Sequence, residues 1–160
     1  VHGMRAVVQR VSGASVAVSG ETVGKCGRGF LILLGVAKGD TEADADVLAA
    51  KLSKLRVFED GNGKMNLSLS DIGGELLIIS NFTLYADCRH GNRPDFLMAE
   101  APAEANRLYE YFTDRMKTLS GCPTETGVFG ADMKVSIEND GPVTLVIDSP
   151  ELMKKKGGAG

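Results

Sequence analysis

The sequence predicts an α+β fold, a mixed β-sheet with two main helices, and three observations point to it. Alternating or continuously apolar runs rich in β-branched residues occupy residues 5–36, 75–80 and 133–148, as strands require. Only residues 41–56 and 102–120 carry apolar side chains at helical spacing. The strands come in runs rather than in strict alternation with helices, which favours α+β over a doubly wound sheet. With 160 residues and no repeat or linker, the chain fits one core, expected over residues 4–150.

Taken in order, Val1-His2-Gly3 reads as a vector-derived remnant ahead of a natural start at Met4. Residues 5–11 and 14–18 read as two strands joined by a turn at Ser12-Gly13. Gly20-Glu21 turns the chain into a third strand at 22–26, and Gly27-Arg28-Gly29 leads into a buried strand at 30–36. Thr41 and Asp44 form a capping-box pattern for a helix running to about Arg56, with Leu48, Leu52 and Leu55 as its buried stripe. Asp60-Gly61-Asn62-Gly63 is a turn, and residues 75–80 form a fully buried strand after Gly73-Gly74. Pro102 opens the second helix, whose stripe is Ala105, Leu108, Phe112, Met116 and Leu119, and Gly121 closes it. Residues 133–138 and 143–148 read as two last strands around Asn139-Asp140-Gly141-Pro142, and residues 151–160 as a flexible tail containing Lys154-Lys155-Lys156.

Composition narrows the function. Apolar residues at 43%, charged residues at 24% and a mean hydropathy of −0.02 describe a globular chain. A net charge of −3 and a pI near 5.4 give no global basic field, so any RNA contact is local. Aromatics at 6%, without Trp, argue against a surface of interleaved rings for nucleic acid. The longest apolar run, residues 30–36, is far shorter than the roughly 20 residues of a membrane helix. A soluble, cytoplasmic protein is expected. Cys26, Cys88 and Cys122 are odd in number and widely spaced, and the only imidazoles are His2 and His90, so neither a disulfide framework nor a metal site nor any cofactor is expected. The glycines at 27 and 29 precede a strand rather than a helix, which excludes a dinucleotide loop.

Two segments are left as candidates for chemistry. Ser80-Asn81-Phe82-Thr83-Leu84 ends a buried strand, where hydroxyls and backbone amides can meet a substrate. A threonine on a strand ordinarily bonds locally, and no base for a Ser-His-Asp arrangement accompanies it. Gly141-Pro142 between two strands reads as a hairpin turn, with a trans peptide by the ordinary X-Pro preference.

In six ordered blocks the chain resembles the D-aminoacyl-tRNA deacylase family over residues 4–148. They are Met4-Arg5-Ala6-Val7-Val8-Gln9-Arg10-Val11, Gly63-Lys64-Met65-Asn66, Ser80-Asn81-Phe82-Thr83-Leu84, Arg93-Pro94-Asp95-Phe96, Thr126-Gly127-Val128-Phe129-Gly130-Ala131-Asp132-Met133 and Asn139-Asp140-Gly141-Pro142-Val143-Thr144. The resemblance implies a strongly curved, half-barrel-like sheet and hydrolysis of the D-aminoacyl-tRNA ester. It implies a homodimer with active sites at the interface, where a cis Gly141-Pro142 of one subunit enters the other's pocket. Arg10 would hold that peptide, Phe129 would lie near the terminal adenosine, and Leu84 and Met133 would line the substrate site. Ser80, Asn81, Phe82 and Thr83 would form the catalytic segment, with Asn81 where the family usually has Gln.

A filter that rejects L side chains by clash has no means of rejecting glycine, so glycyl-tRNA is an expected second substrate. With few side-chain bases, the ribose 2′-OH is expected to assist water. Arg89, Arg93 and the lysine tail are candidate phosphate contacts. Two other classes stay open: a non-catalytic module that binds the aminoacyl-tRNA end, and a covalent esterase using Thr83 or Cys88.

Overall fold

The computed structural model describes residues 3–153. Its elements in chain order are β1 (Arg5–Val18), β2 (Glu21–Cys26), β3 (Gly29–Gly35), α1 (Glu42–Lys54), β4 (Phe58–Glu59), β5 (Met65–Leu67), β6 (Glu75–Ser80), a 3-10 turn (Phe82–Tyr85), α2 (Pro102–Ser120), β7 (Thr124–Thr126), β8 (Lys134–Asp148) and α3 (Ser149–Met153). β1 is the spine of the main sheet. Its first half pairs antiparallel with β3 and its second half with β2, while β8 lies antiparallel along its opposite edge. β3, β6 and β7 follow in parallel, and β4 with β5 forms a separate two-stranded ribbon.

The sheet curls until β2 nears the far edge, where the Lys25 N–H donates to Glu125 Oε1 at 2.8 Å. A Cβ on Gly24 would lie 2.4 Å from the Thr126 carbonyl oxygen, so the backbones meet there. The strongly curved, half-barrel-like sheet implied by the resemblance is the observed architecture. Both faces of β3 are covered, which is why its sequence is continuously apolar. Phe30, Ile32 and Leu34 face the helices together with Leu48, Leu52, Phe112 and Met116. Leu31 and Leu33 face a smaller cluster inside the curl, with Val11, Val16, Leu77 and Ile79.

Both predicted helices form. The Asp44 carboxylate accepts the Thr41 N–H at 2.8 Å, and the Asp44 N–H returns to the Thr41 carbonyl at 3.0 Å. α2 begins at Pro102 and ends at Gly121, whose φ of 66° is the left-handed C-cap that glycine favours. Its buried stripe includes Tyr109, whereas Leu119 is exposed.

Two expected turns are absent. Ser12-Gly13 lies inside β1, where register slips in the pairing with β8 move the buried face from even positions (Ala6, Val8) to Val11 and then to Ala14 and Val16. A lone glycine in a strand marks a bulge as readily as a turn. Residues 139–142 likewise lie within one long strand, β8, that pairs with β1 on both sides of them. Between the pairs Gln9↔Thr144 and Val11↔Asn139, β1 spends Arg10 alone while β8 spends residues 140–143. Gly141-Pro142 is therefore the crest of a wide bulge, not a hairpin, and its peptide is cis where the ordinary preference gives trans. Of the expected tail, Glu151 to Met153 belong to α3 instead, and Lys154-Lys155-Lys156 lies outside the described residues.

Candidate active site

β6 carries Leu76, Leu77, Ile78 and Ile79 buried and delivers Ser80 to the end of the sheet. The Asn81 N–H makes the last ladder bond, to the Leu34 carbonyl at 2.8 Å, and extended Asn81 (φ −145°, ψ 94°) then caps the 3-10 turn. Its Oδ1 accepts the Thr83 N–H at 3.2 Å and the Thr83 hydroxyl at 2.5 Å. The Leu84 N–H donates to the Asn81 carbonyl at 3.3 Å. Among the described residues no acceptor meets the Phe82 N–H, which leaves one backbone donor at the strand end. The exposed Phe82 ring stands edge-on to Phe96, centroids 5.0 Å apart at 74°.

Tyr85 anchors this turn from below. Its hydroxyl sits between the Gly35 carbonyl (3.1 Å) and the Gly3 carbonyl. A Cβ on Gly35 would come within 2.7 Å of Tyr85 Cε2, so a side chain at 35 would displace the ring. Arg5, paired with Asp148 at 2.7 Å, lies over the Tyr85 ring, 5.9 Å from its centroid. Beyond the turn, reciprocal backbone bonds between Asp87 and Asp95 close a loop whose Cys88, Arg89, His90 and Arg93 are exposed. Arg89 chelates Asp87 at 2.9 and 2.8 Å and holds that carboxyl well below the usual carboxylate range.

Phe129 and Met133 flank the same end of the sheet. Phe129 packs on Tyr109 with centroids 6.1 Å apart, and the Tyr109 hydroxyl donates to the Ile78 carbonyl at 2.6 Å. The Met133 sulfur occupies the space where a Cβ on Gly127 would lie, 2.6 Å away.

Arg10 and Gly141-Pro142 form a second group. The buried Arg10 guanidinium donates to the Asp140 carbonyl at 3.1 Å and to the Val57 carbonyl at 2.7 Å. The Asn139 Nδ2 bridges the Arg10 and Val143 carbonyls at 3.0 Å each, pinning both ends of the bulge. Gly141 has φ 136°, and a Cβ there would meet Val143 Cγ2 at 2.7 Å and Arg10 Nη2 at 3.2 Å. A cavity of about 480 Å³ opens beside it, lined also by Arg28, Phe58, Glu59 and Met65.

The two groups do not meet within one chain. Ser80 lies in the row with Leu34, Ala6 and Ile147, whereas the bulge lies opposite Arg10 in the row with Phe30 and Leu76. Four residues along and three strands across put them on the order of 20 Å apart along the sheet. The structure thus gathers Ser80, Asn81, Phe82, Thr83 and Leu84 in one strand-end turn, places Phe129 and Met133 beside Tyr109 and Gly127 next to the last residues of β6, and separately gathers Arg10 with Gly141 and Pro142. Sequence reasoning passed over Tyr85, Tyr109 and the clamping role of Asn139. An Asn ahead of Asp-Gly carries the signal for the last, because its side chain bonds nearby backbone so readily. Tyr109 stands three before Phe112 and seven before Met116, helical spacing that places it on the buried stripe.

An unengaged backbone donor beside an immobilised hydroxyl, at the strand end of a curled α+β sheet, defines a site that can hold a carbonyl oxygen without a side-chain base. A family model described as D-Tyr-tRNA(Tyr) deacylase matches residues 7–148, and the chain belongs to that family. It is 54% identical over 149 residues to the D-aminoacyl-tRNA deacylase of Thermosipho melanesiensis, covering 93% of this chain and 99% of that one. With the D-aminoacyl-tRNA deacylase of Clostridium beijerinckii it shares 57% over 146 residues, 91% of this chain and 97% of that one. Among solved structures, the c-Myc DNA unwinding element binding protein superposes with a TM-score of 0.83 at 41% identity, over 91% of this chain and 99% of that one. A probable eukaryotic D-amino acid tRNA deacylase, 17% identical, shares the fold with a TM-score of 0.79 over 91% of this chain and 98% of that one.

Proposed function

We propose that this chain hydrolyses the ester of D-aminoacyl-tRNA at the strand end formed by Ser80, Asn81, Phe82 and Thr83, within one deacylase domain spanning residues 4–150. The observation that carries the reading is the division of labour at Asn81. Its Oδ1 engages both the amide and the hydroxyl of Thr83, while the Phe82 N–H remains open. An amide oxygen cannot take a proton at neutral pH, so Thr83 has no activating base and serves to position. The Phe82 N–H is placed for the ester carbonyl as it becomes an oxyanion. Water attacks the carbonyl carbon with help from the 2′-OH of the terminal ribose. The ester C–O bond breaks, the 3′-oxygen leaves with a proton, and free amino acid and tRNA result.

Phe129 and Met133 border the place for the terminal adenosine, with Leu84 toward the amino acid. The chiral filter is Gly141-Pro142 of a second copy, since the bulge lies too far from Ser80 in its own chain. Contact preferences of a methylene or so give only about 1 to 3 kcal/mol, too little to spare abundant L-aminoacyl-tRNA, so exclusion must be rigid. Arg10 and Asn139 supply rigidity by fixing both ends of the bulge. An L side chain then meets a carbonyl that cannot move, and a D side chain points away. Glycine has nothing to clash, and glycyl-tRNA is also cleaved. Arg89 and Arg93 border the path of the acceptor strand, and the cytoplasm, which holds charged tRNA, is the place of action.

Incubation with D-tyrosyl-tRNA and L-tyrosyl-tRNA tests the reading, with loss of the D form alone as the expected result. A binding module would spare both and a general esterase would cleave both. Under excess enzyme, glycyl-tRNA should decay faster than L-alanyl-tRNA, and equal stability of the two would remove the exclusion argument.

A further inference from the structure

Beyond Thr126 the parallel pairing of β6 and β7 stops, although both chains continue. The group found at that point is the hydroxyl of Tyr109, from the middle of α2. It donates to the Ile78 carbonyl at 2.6 Å, opposite Thr126 and two residues before Ser80. Tyr109 is 5% exposed, and its ring bears on Phe129 at 6.1 Å and 41°. Burial pushes the phenol up to about 12, against the Thr126 side chain and the Gly127 backbone, both of which pull it down. One hydroxyl thus sits among the end of β6, the end of β7 and the first residue of the segment that carries Phe129.

We infer that Tyr109 is a positioning residue for the terminal adenosine: its hydroxyl stands where β7 would otherwise continue pairing with β6, and so holds residues 127–129 apart from the strand that ends in Ser80. The inference rests on the reading of Phe129 as the adenosine border. The reacting end depends on other contacts, since the Asn81 N–H bonds to Leu34 and the Thr83 amide to Asn81 Oδ1, neither of which involves Tyr109. Removing the hydroxyl therefore loosens the nucleoside flank more than the ester end, and binding suffers before chemistry does.

The test is Tyr109→Phe, which keeps the ring against Phe129 and deletes only the hydroxyl, with Tyr109→Leu as a second variant that also deletes the ring. Each is compared with wild type for D-tyrosyl-tRNA turnover and for inhibition by a non-hydrolysable 3′-(D-tyrosylamino)-3′-deoxyadenosine. Tyr109→Phe should raise KM and the analogue's Ki together by roughly tenfold, the size of one lost buried hydrogen bond, with a smaller change in kcat. Tyr109→Leu should raise both further. A fall in kcat with unchanged Ki would overturn the inference, as would a lower Tm with unchanged KM and Ki, which marks a purely structural tyrosine. If wild type neither cleaves D-tyrosyl-tRNA nor binds the analogue, the reading of the whole site fails and this role with it. If wild type does both and Tyr109→Phe matches it, only the positioning role fails.

Discussion

Thr83 and Phe82 are adjacent, yet the structure gives them opposite expectations. Thr83 looks like a nucleophile by residue type, but its hydroxyl is spent on Asn81. Thr83→Ala should keep turnover within roughly tenfold of wild type, because it removes one local hydrogen bond, and acid quenching of wild type during turnover should trap no acyl-enzyme. Phe82 looks apolar, and the role proposed for it falls to its backbone N–H. Phe82→Pro removes the unengaged N–H while asking little of the fold, since Pro suits the first position of a helical turn and Asn81 before it is already extended. Loss of one oxyanion donor costs on the order of 10² to 10³ in kcat. A Phe82→Pro protein of normal Tm that kept wild-type kcat would take the oxyanion role away from this amide. Asn81 itself was legible as the position where the family usually carries Gln. Its shorter amide reaches forward two residues, to Thr83, to cap the turn, a geometry that no spacing rule reveals.

At the scale of elements, the turn from β3 into α1 carries a buried acid whose cost can be measured. Asp40 is 7% exposed and accepts the Ala37 N–H at 2.7 Å. Burial pushes it up to about 7, with Asp44 and Glu100 adding to the shift and the Ala37 N–H opposing it. Its folded value lies above its unfolded one, so ionisation favours the unfolded chain. The penalty is nearly absent below about pH 3, where both states are protonated; it grows as pH rises through the unfolded value of about 4 and is complete above about pH 7. Asp40→Asn keeps an oxygen for Ala37 and deletes the charge. It should leave Tm nearly unchanged at pH 3 and raise it at pH 8 by about 4 to 8 °C, for a relief on the order of 2 kcal/mol. An equal gain at both pH values would exclude the titration of Asp40 as the cause. The capping box that follows was legible because Thr41 and Asp44 act within one turn, and the stripes of both helices and the apolar runs of β3 and β6 were legible for the same local reason. Ser12-Gly13 and Gly141-Pro142 were misread because turn residues also suit bulges, and only the partner strand decides which forms. β7 and α3 are three and five residues long, too short for either period to register.

For the whole molecule, the separation of the strand-end turn from the Gly141-Pro142 bulge gives the proposed shared site a consequence that one chain cannot display. If the site is shared, the strand end of one protomer works with the bulge of the other, and damage to each group should complement in a mixed dimer. Phe82→Pro disables the first group. Gly141→Val disables the second, because φ 136° and a Cβ 2.7 Å from Val143 Cγ2 leave no room for a side chain. Each homodimer should fail to show D-selective hydrolysis, the first for lack of turnover and the second for lack of an intact filter. When the two are unfolded together and refolded at equal ratio, half of the dimers are mixed, and each mixed dimer holds one strand end and one bulge that are both intact and facing each other. D-selective activity should return to roughly a quarter of the wild-type level. A site contained in one chain predicts instead that the mixture equals the average of its parents. Measured D- and L-tyrosyl-tRNA decay across the mixing ratio separates the two, since sharing gives a maximum at equal proportions and a self-contained site gives a straight line.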